Sequence, residues 1–189
     1  MIIRKLFKFE GAHIVRNCSS KRCKENIHGH SYIVEVFIKS NKLDKGYMVM
    51  DFTLLDKVKT FVDSFDHSYS LWNIEDVEMR QFIQKYNKRI AEMPISPSAE
   101  GYALLFAFVI DKIIKNTEFA NGEGNVMMSS VRVHETATGY AEAYREDLDL
   151  IDFTLNDIIF SEAIVEEWKE KDWWEDLLNG KKFINQFLS

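Results

Sequence analysis

The sequence predicts an α+β fold: a four-stranded antiparallel sheet with two helices packed on one face. Three observations predict it. Two N-terminal stretches, "IIRKLFKFEGAH" and "SYIVEVFIKS", carry the β-branched and aromatic density of strands. Two later stretches repeat apolar residues at helical spacing. Two more strand-like stretches, "VMMSSVRVHE" and "GYAEAYRE", close the pattern, joined by "TAT".

The elements follow in order. The first two strands are succeeded by a turn, "SNKLDKGY". Leu54, Leu55, Val58, Phe61, Val62 and Phe65 then mark a first helix that begins near Asp51. A second helix starts near Ser96 or Pro97, since Pro suits a first helical turn and Glu100 suits the positive end of the dipole. Its buried stripe is Tyr102, Leu105, Phe106, Val109, Ile110 and Ile113. Between the helices, the stretch at 74–93 reads as an insertion holding an extra helix. After residues 1–146 comes an extension, 147–189, with a helix near "LNDIIFSEAIVEEWKEK" and an aromatic cluster of Trp168, Trp173, Trp174, Phe183 and Phe187.

Composition bounds the function. The 189 residues carry a net charge of −6. The extension holds 11 acidic and 4 basic residues, which leaves the remainder at +1 and able to accept an anionic ligand. No broad basic face points to nucleic acid, and no apolar run approaches the roughly 20 residues that span a bilayer. The N-terminus is too charged for a secretory signal, and the two cysteines make no disulfide framework. A reducing cytoplasm is the expected setting.

Residues two apart on a strand face the same way. His28 and His30, with one glycine between them, therefore point to one side. His13, at the end of the neighbouring strand, is the candidate third ligand, and three neutral imidazoles with an open position make a catalytic zinc site. Spacing alone leaves open two ordinary strand histidines. Cys23 sits among Lys21, Arg22 and Lys24, whose charge favours a thiolate; a loop cysteine in a solvated basic run is the other reading. Asp66 beside His67 can make a proton shuttle, although such pairs also occur without function. Glu135, at a strand end, can grip the amidine-like edge of a pterin or guanine, or be a solvated hairpin glutamate. His134 has no assigned role.

Taken together the motifs "FEGAH", "HGHSY", "GYMVMDF", "FDHSYSLWN", "SPSAE" and "HETATGYAEAY" resemble, in order from Phe9 to Tyr144, the 6-pyruvoyl-tetrahydropterin synthase and 6-carboxy-tetrahydropterin synthase family with its tunnelling fold. The resemblance implies zinc on His13, His28 and His30. It implies Cys23 as base, with Asp66 and His67 as the partner acid/base. Glu135, with Ser98 and Glu100 of "SPSAE", would hold the pterin. It implies trimers stacked into hexamers, with active sites between subunits, and dihydroneopterin triphosphate as substrate. The expected reaction is the carboxy type, on the deazapurine and queuosine route. The pyruvoyl type, a folate-route cleavage using Glu25, and a catalytically silent pterin- or metal-binding relative remain alternatives. Four residues separate Cys23 from His28, where the carboxy-type enzymes usually have three, so Glu25 in the same loop competes for the role of base.

Overall fold

The computed structural model describes residues 1–184. Four of its strands are those expected. β1 (Ile2–His13) and β2 (His28–Lys39) form a long antiparallel pair; β5 (Met127–Thr136) joins β2 and β6 (Gly139–Tyr144) joins β5, both antiparallel. The expected count of four and the all-antiparallel pairing are corrected by three further strands. β3 (Ser68–Trp72) runs parallel to β1, β4 (Ile90–Met93) parallel to β3, and β7 (Ile159–Phe160) antiparallel to β4. The result is one mixed seven-stranded sheet, ordered β6-β5-β2-β1-β3-β4-β7. The added strands are short, and the first four residues of β3 are all buried. A strand covered on both faces shows no apolar–polar alternation, so period two is absent from its sequence.

Two principal helices lie on one face, as expected. A 3-10 turn over Phe52–Leu55, capped by Asp51, leads into α2 (Asp56–Asp63), whose Val58, Phe61 and Val62 are buried. The long helix α4 (Ala99–Asn116) is capped by Ser98, whose Oγ accepts the Gly101 amide at 3.1 Å. Pro97 thus precedes the cap instead of opening the first turn. The predicted stripe of α4 is buried, and so are Ala103, Ala107 and Ile114. Phe9 stacks on Tyr32 with ring centroids 4.5 Å apart, and Phe65, Tyr102 and Phe106 close around them.

The insertion supplies α3 (Val77–Tyr86), capped by Asp76, as well as β4. In the extension the expected long helix is absent. A 3-10 turn (Leu155–Asp157), β7, and the short α5 (Glu162–Val165) take its place, followed by α6 (Trp173–Leu178). The reason is the sheet edge: Ser161 Oγ accepts the Ile90 amide at 3.0 Å, and the Ser161 amide donates to the Ile90 carbonyl at 3.0 Å. Edge pairing satisfies backbone groups that a helix would have satisfied internally. Trp168, Trp173 and Trp174 are buried in the same core as Phe61 and Phe106. Trp174 lies parallel to Phe61 at 6.2 Å, and Trp168 Nε1 donates to Ser64 Oγ at 2.9 Å. Phe183 packs against this core at its margin; Phe187 lies outside the described residues. Among the described residues no helix is long and apolar enough to cross a membrane.

Candidate metal centre

Strand register brings the three histidines together. His13 is the direct partner of His28, and Gly11 is the partner of His30. The helix-facing row of β2, which includes Tyr32, Val34 and Val36, continues outward into His30 and His28. Directly opposed residues share a face, so all three rings converge at one end of the sheet. Their ligating nitrogens lie within 4.8 Å of one another. The glycine of "HGH" has a steric cause: a Cβ at Gly29 would stand 2.6 Å from the Gly11 carbonyl oxygen, inside contact distance.

Backbone carbonyls set the tautomers. His13 Nδ1 donates to the Pro97 carbonyl at 2.5 Å, and His28 Nδ1 to the Asn26 carbonyl at 3.0 Å. A carbonyl only accepts, so both Nδ1 atoms carry a proton, and in the neutral imidazoles that bind a metal both Nε2 atoms present lone pairs. Yet the two Nε2 atoms are 3.1 Å apart. Two neutral acceptors at that distance repel, and a cation between them turns repulsion into coordination. Burial lowers the pKa of His13 to about 4, with the Pro97 carbonyl working against that shift and His28 and His30 adding to it. The ring is therefore neutral near pH 7, the form that binds a metal. Glu135 Oε1 lies 3.8 Å from His30 Nε2 and 3.9 Å from His13 Nε2, adding negative charge at the rim. The Tyr32 hydroxyl, 3.3 Å from His13 Nδ1, is kept protonated well above its usual range by burial, with Tyr102 and Glu135 adding to the effect.

The other expected site residues are placed differently. His67 Nδ1 pairs with Asp66 Oδ2 at 2.8 Å, and Asp66 Oδ1 accepts the Glu10 amide at 2.7 Å. Burial works to raise the Asp66 carboxyl, but the Glu10 amide, His67 and Arg89 outweigh it and hold it below the usual range. His67 lines a shallow cavity with Glu10, Gly29, His30 and Ser31. Glu10 and Ser31, hydrogen-bonded to each other at 2.6 Å, point away from the helices, so within one chain this cavity opens on the other face of the sheet from the imidazoles. Cys23 is half-buried on the short α1 (Lys21–Glu25), and Glu25 is exposed on the same turn. Among the described residues no hydrogen bond or ion pair joins either of them to the three histidines. Ser98 is engaged as the cap of α4, and Glu100 is exposed in its first turn.

Residues that sequence reasoning missed hold this end of the molecule. Arg16 grips both oxygens of Glu75 at 3.0 Å and donates to the Lys24 carbonyl at 2.7 Å, which ties α1 to the insertion. No local signal links positions 59 residues apart. His134, unassigned before, pairs with the buried Glu35 at 2.7 Å, alongside Arg4 and Arg132 on the open face.

The profile described as "6-pyruvoyl tetrahydropterin synthase" matches residues 2–146. The chain belongs to this family. Among similar curated proteins, a 6-carboxy-5,6,7,8-tetrahydropterin synthase of Helicobacter pylori is 43% identical, over 96% of this chain and 94% of its own length. One of the same name from Aquifex aeolicus is 34% identical, over 77% of this chain and 98% of its own length. The family fold therefore exists without nearly a quarter of this chain, whereas the Helicobacter relative matches almost all of it. A solved structure from Wolinella succinogenes, described as an uncharacterized protein, superposes with a TM-score of 0.60 at 20% identity, covering 77% of this chain and 98% of that one. The Plasmodium vivax 6-pyruvoyl tetrahydropterin synthase superposes with a TM-score of 0.55 at 22% identity, with the same coverage. Both show the family's α+β fold.

Proposed function

We propose that this family member is a zinc-dependent 6-carboxy-tetrahydropterin synthase, acting on dihydroneopterin triphosphate with loss of triphosphate and cleavage of the side chain. The observation that carries this reading is the pair of proton-free Nε2 atoms of His13 and His28, 3.1 Å apart, with His30 beside them. The names of the Helicobacter and Aquifex relatives support the carboxy-type product. A zinc ion held there would polarise the side-chain oxygens and make the adjacent carbon–hydrogen bonds acidic.

The chain's own residues do the rest. Cys23 takes the carbon-bound proton, and His67, oriented by Asp66, delivers one to the substrate. The cavity beside His67 and the histidine face are on opposite sides of one sheet, which supports a homo-oligomer whose sites combine neighbouring subunits. Lys21, Arg22 and Lys24 lie exposed or half-exposed on α1 and suit a triphosphate. The test is incubation of the zinc-loaded protein with dihydroneopterin triphosphate and identification of the product by mass. The 6-carboxy product with free triphosphate is expected; a 6-pyruvoyl product, or no turnover, would sink the proposal.

Glu135 accepts two N–H bonds from the pterin edge in this reading, with Ser98 and Glu100 nearby in sequence to the His13 anchor Pro97. Glu135→Gln replaces an acceptor by an amide donor facing a ligand donor. Pterin affinity is expected to fall by about 30-fold or more, equivalent to about 2–4 kcal/mol. Binding of a pterin at wild-type strength, measured by fluorescence quenching, would remove Glu135 from the pocket.

A further inference from the structure

We propose that Arg89, steadied by the C-terminal extension, is a positioning residue for the Asp66–His67 pair. Helix α2 ends at Asp63, and a turn over Ser64–Asp66 takes up its last carbonyls: Ser64 donates to Thr60 and Phe61, Phe65 to Val62 and Asp66 to Asp63. A chain commonly leaves such a turn through glycine or asparagine in the left-handed region. Here the residue in that region, four positions past the helix, is His67, at φ +50°. A side chain with a Cβ is strained there, so contacts that fix the turn have a conformation to hold.

Arg89 supplies that hold. Its Nη2 donates to the Asp63 carbonyl at 3.1 Å and its Nε to the Asp66 carbonyl at 3.0 Å, so one planar fork spans both sides of the turn. Its Nη1 donates to Glu167 of the extension at 2.5 Å. On the near side, Trp168 of the extension donates to Ser64, the first residue of the turn. On the far side, the His67 amide donates to the Glu10 carbonyl at 2.7 Å, and the Tyr69 amide to the Arg89 carbonyl at 3.0 Å. Arg89 is mostly buried, whereas Glu167 is 65% exposed. The two carbonyl bonds therefore do the holding, and Glu167 with Trp168 keeps the guanidinium in register. The extension thus reaches the proton-transfer pair without touching it.

This inference rests on His67 as the proton donor, so its test includes a reading that does not depend on turnover. In the full chain loaded with zinc, Arg89→Gln and Arg89→Lys are compared by the titration of the His67 ring, followed by NMR, and by the pH dependence of kcat and KM. Arg89→Gln is expected to change the His67 titration from that of wild type and to lower kcat about tenfold or more, with KM within about threefold. Zinc content should match wild type. Arg89→Lys, a single point donor that cannot span two carbonyls, should show the same shift in smaller degree; it also carries the test if Arg89→Gln does not fold. A lowered melting temperature with the His67 titration and kcat unchanged would overturn the proposal. His67→Gln serves as control: if it keeps full turnover, the role assigned to His67 fails, while the titration still decides whether Arg89 positions the ring.

Discussion

His28→Ala is expected to strip the protein of zinc and to lower turnover by about a thousandfold or more, the kinetic equivalent of several kcal/mol of charge stabilisation. Wild-type protein purified without chelator should carry about one zinc per subunit. The geometry explains the size of the effect. His28 is the cross-strand partner of His13, and its Nδ1 is committed to the Asn26 carbonyl, so its Nε2 is free for a cation. Removing it leaves His13 and His30, two ligands where a catalytic zinc takes three. His28 is only half-buried at the outer end of β2, so the sheet should survive the change and circular dichroism should not move. Metal analysis decides the matter: a His28→Ala protein with full zinc, or a wild-type protein with no transition metal, defeats the proposed centre.

Cys23→Ala is expected to lose about 100-fold or more in turnover, the usual scale for a lost acid/base group, while Glu25→Gln stays within about tenfold. Both residues lie on α1, one turn ahead of β2. Cys23 is half-buried and its carbonyl accepts the Val15 amide at 3.0 Å, whereas Glu25 is exposed. The backbone around Cys23 is therefore pinned beside the end of β1, and that of Lys24 is pinned by Arg16. A carboxylate on the exposed side of the same turn is a weaker base and less well placed. Assays with dihydroneopterin triphosphate, each variant checked for zinc, separate the two residues. The reverse pattern would assign proton removal to Glu25 and move the protein to the glutamate-using branch of its family.

The legibility of these features in sequence varied with the range of the interactions behind them. The β1 and β2 strands, the stripe of α4 and the "HGH" spacing could be read because each is local: a period of two or 3.6 residues, or one glycine between two ligands. The pairing of His13 with this set required only that two adjacent strands run antiparallel. β3 and β4 could not be read. They are short and largely buried, so the periodic signal is missing, and "SYSLW" follows a helix closely enough to pass as its end. The extension misled for a related reason. "LNDIIFSEAIVEEWKEK" has helical spacing, but the free edge of β4 captures it at Ile159 and Phe160. A tertiary partner outweighs local propensity where it satisfies the same backbone groups and also buries Trp168.

By itself the sequence determined the α+β class, the four long strands, the two principal helices, the histidine set and the family. All of these depend on residue type and spacing within one or two elements. Only the tertiary structure decided the seven-strand mixed sheet, the Nδ1 contacts that turn the lone pairs of His13 and His28 toward each other, and the approach of Glu135 to the rings. It also decided the Arg16–Glu75 and Arg89–Glu167 ties that fasten α1 and the His67 turn to the insertion and the extension. His13 and Pro97 alone are 84 positions apart. The physical reason is that a hydrogen bond between distant residues depends on where the whole core places two backbones, and no periodicity in either segment records that placement.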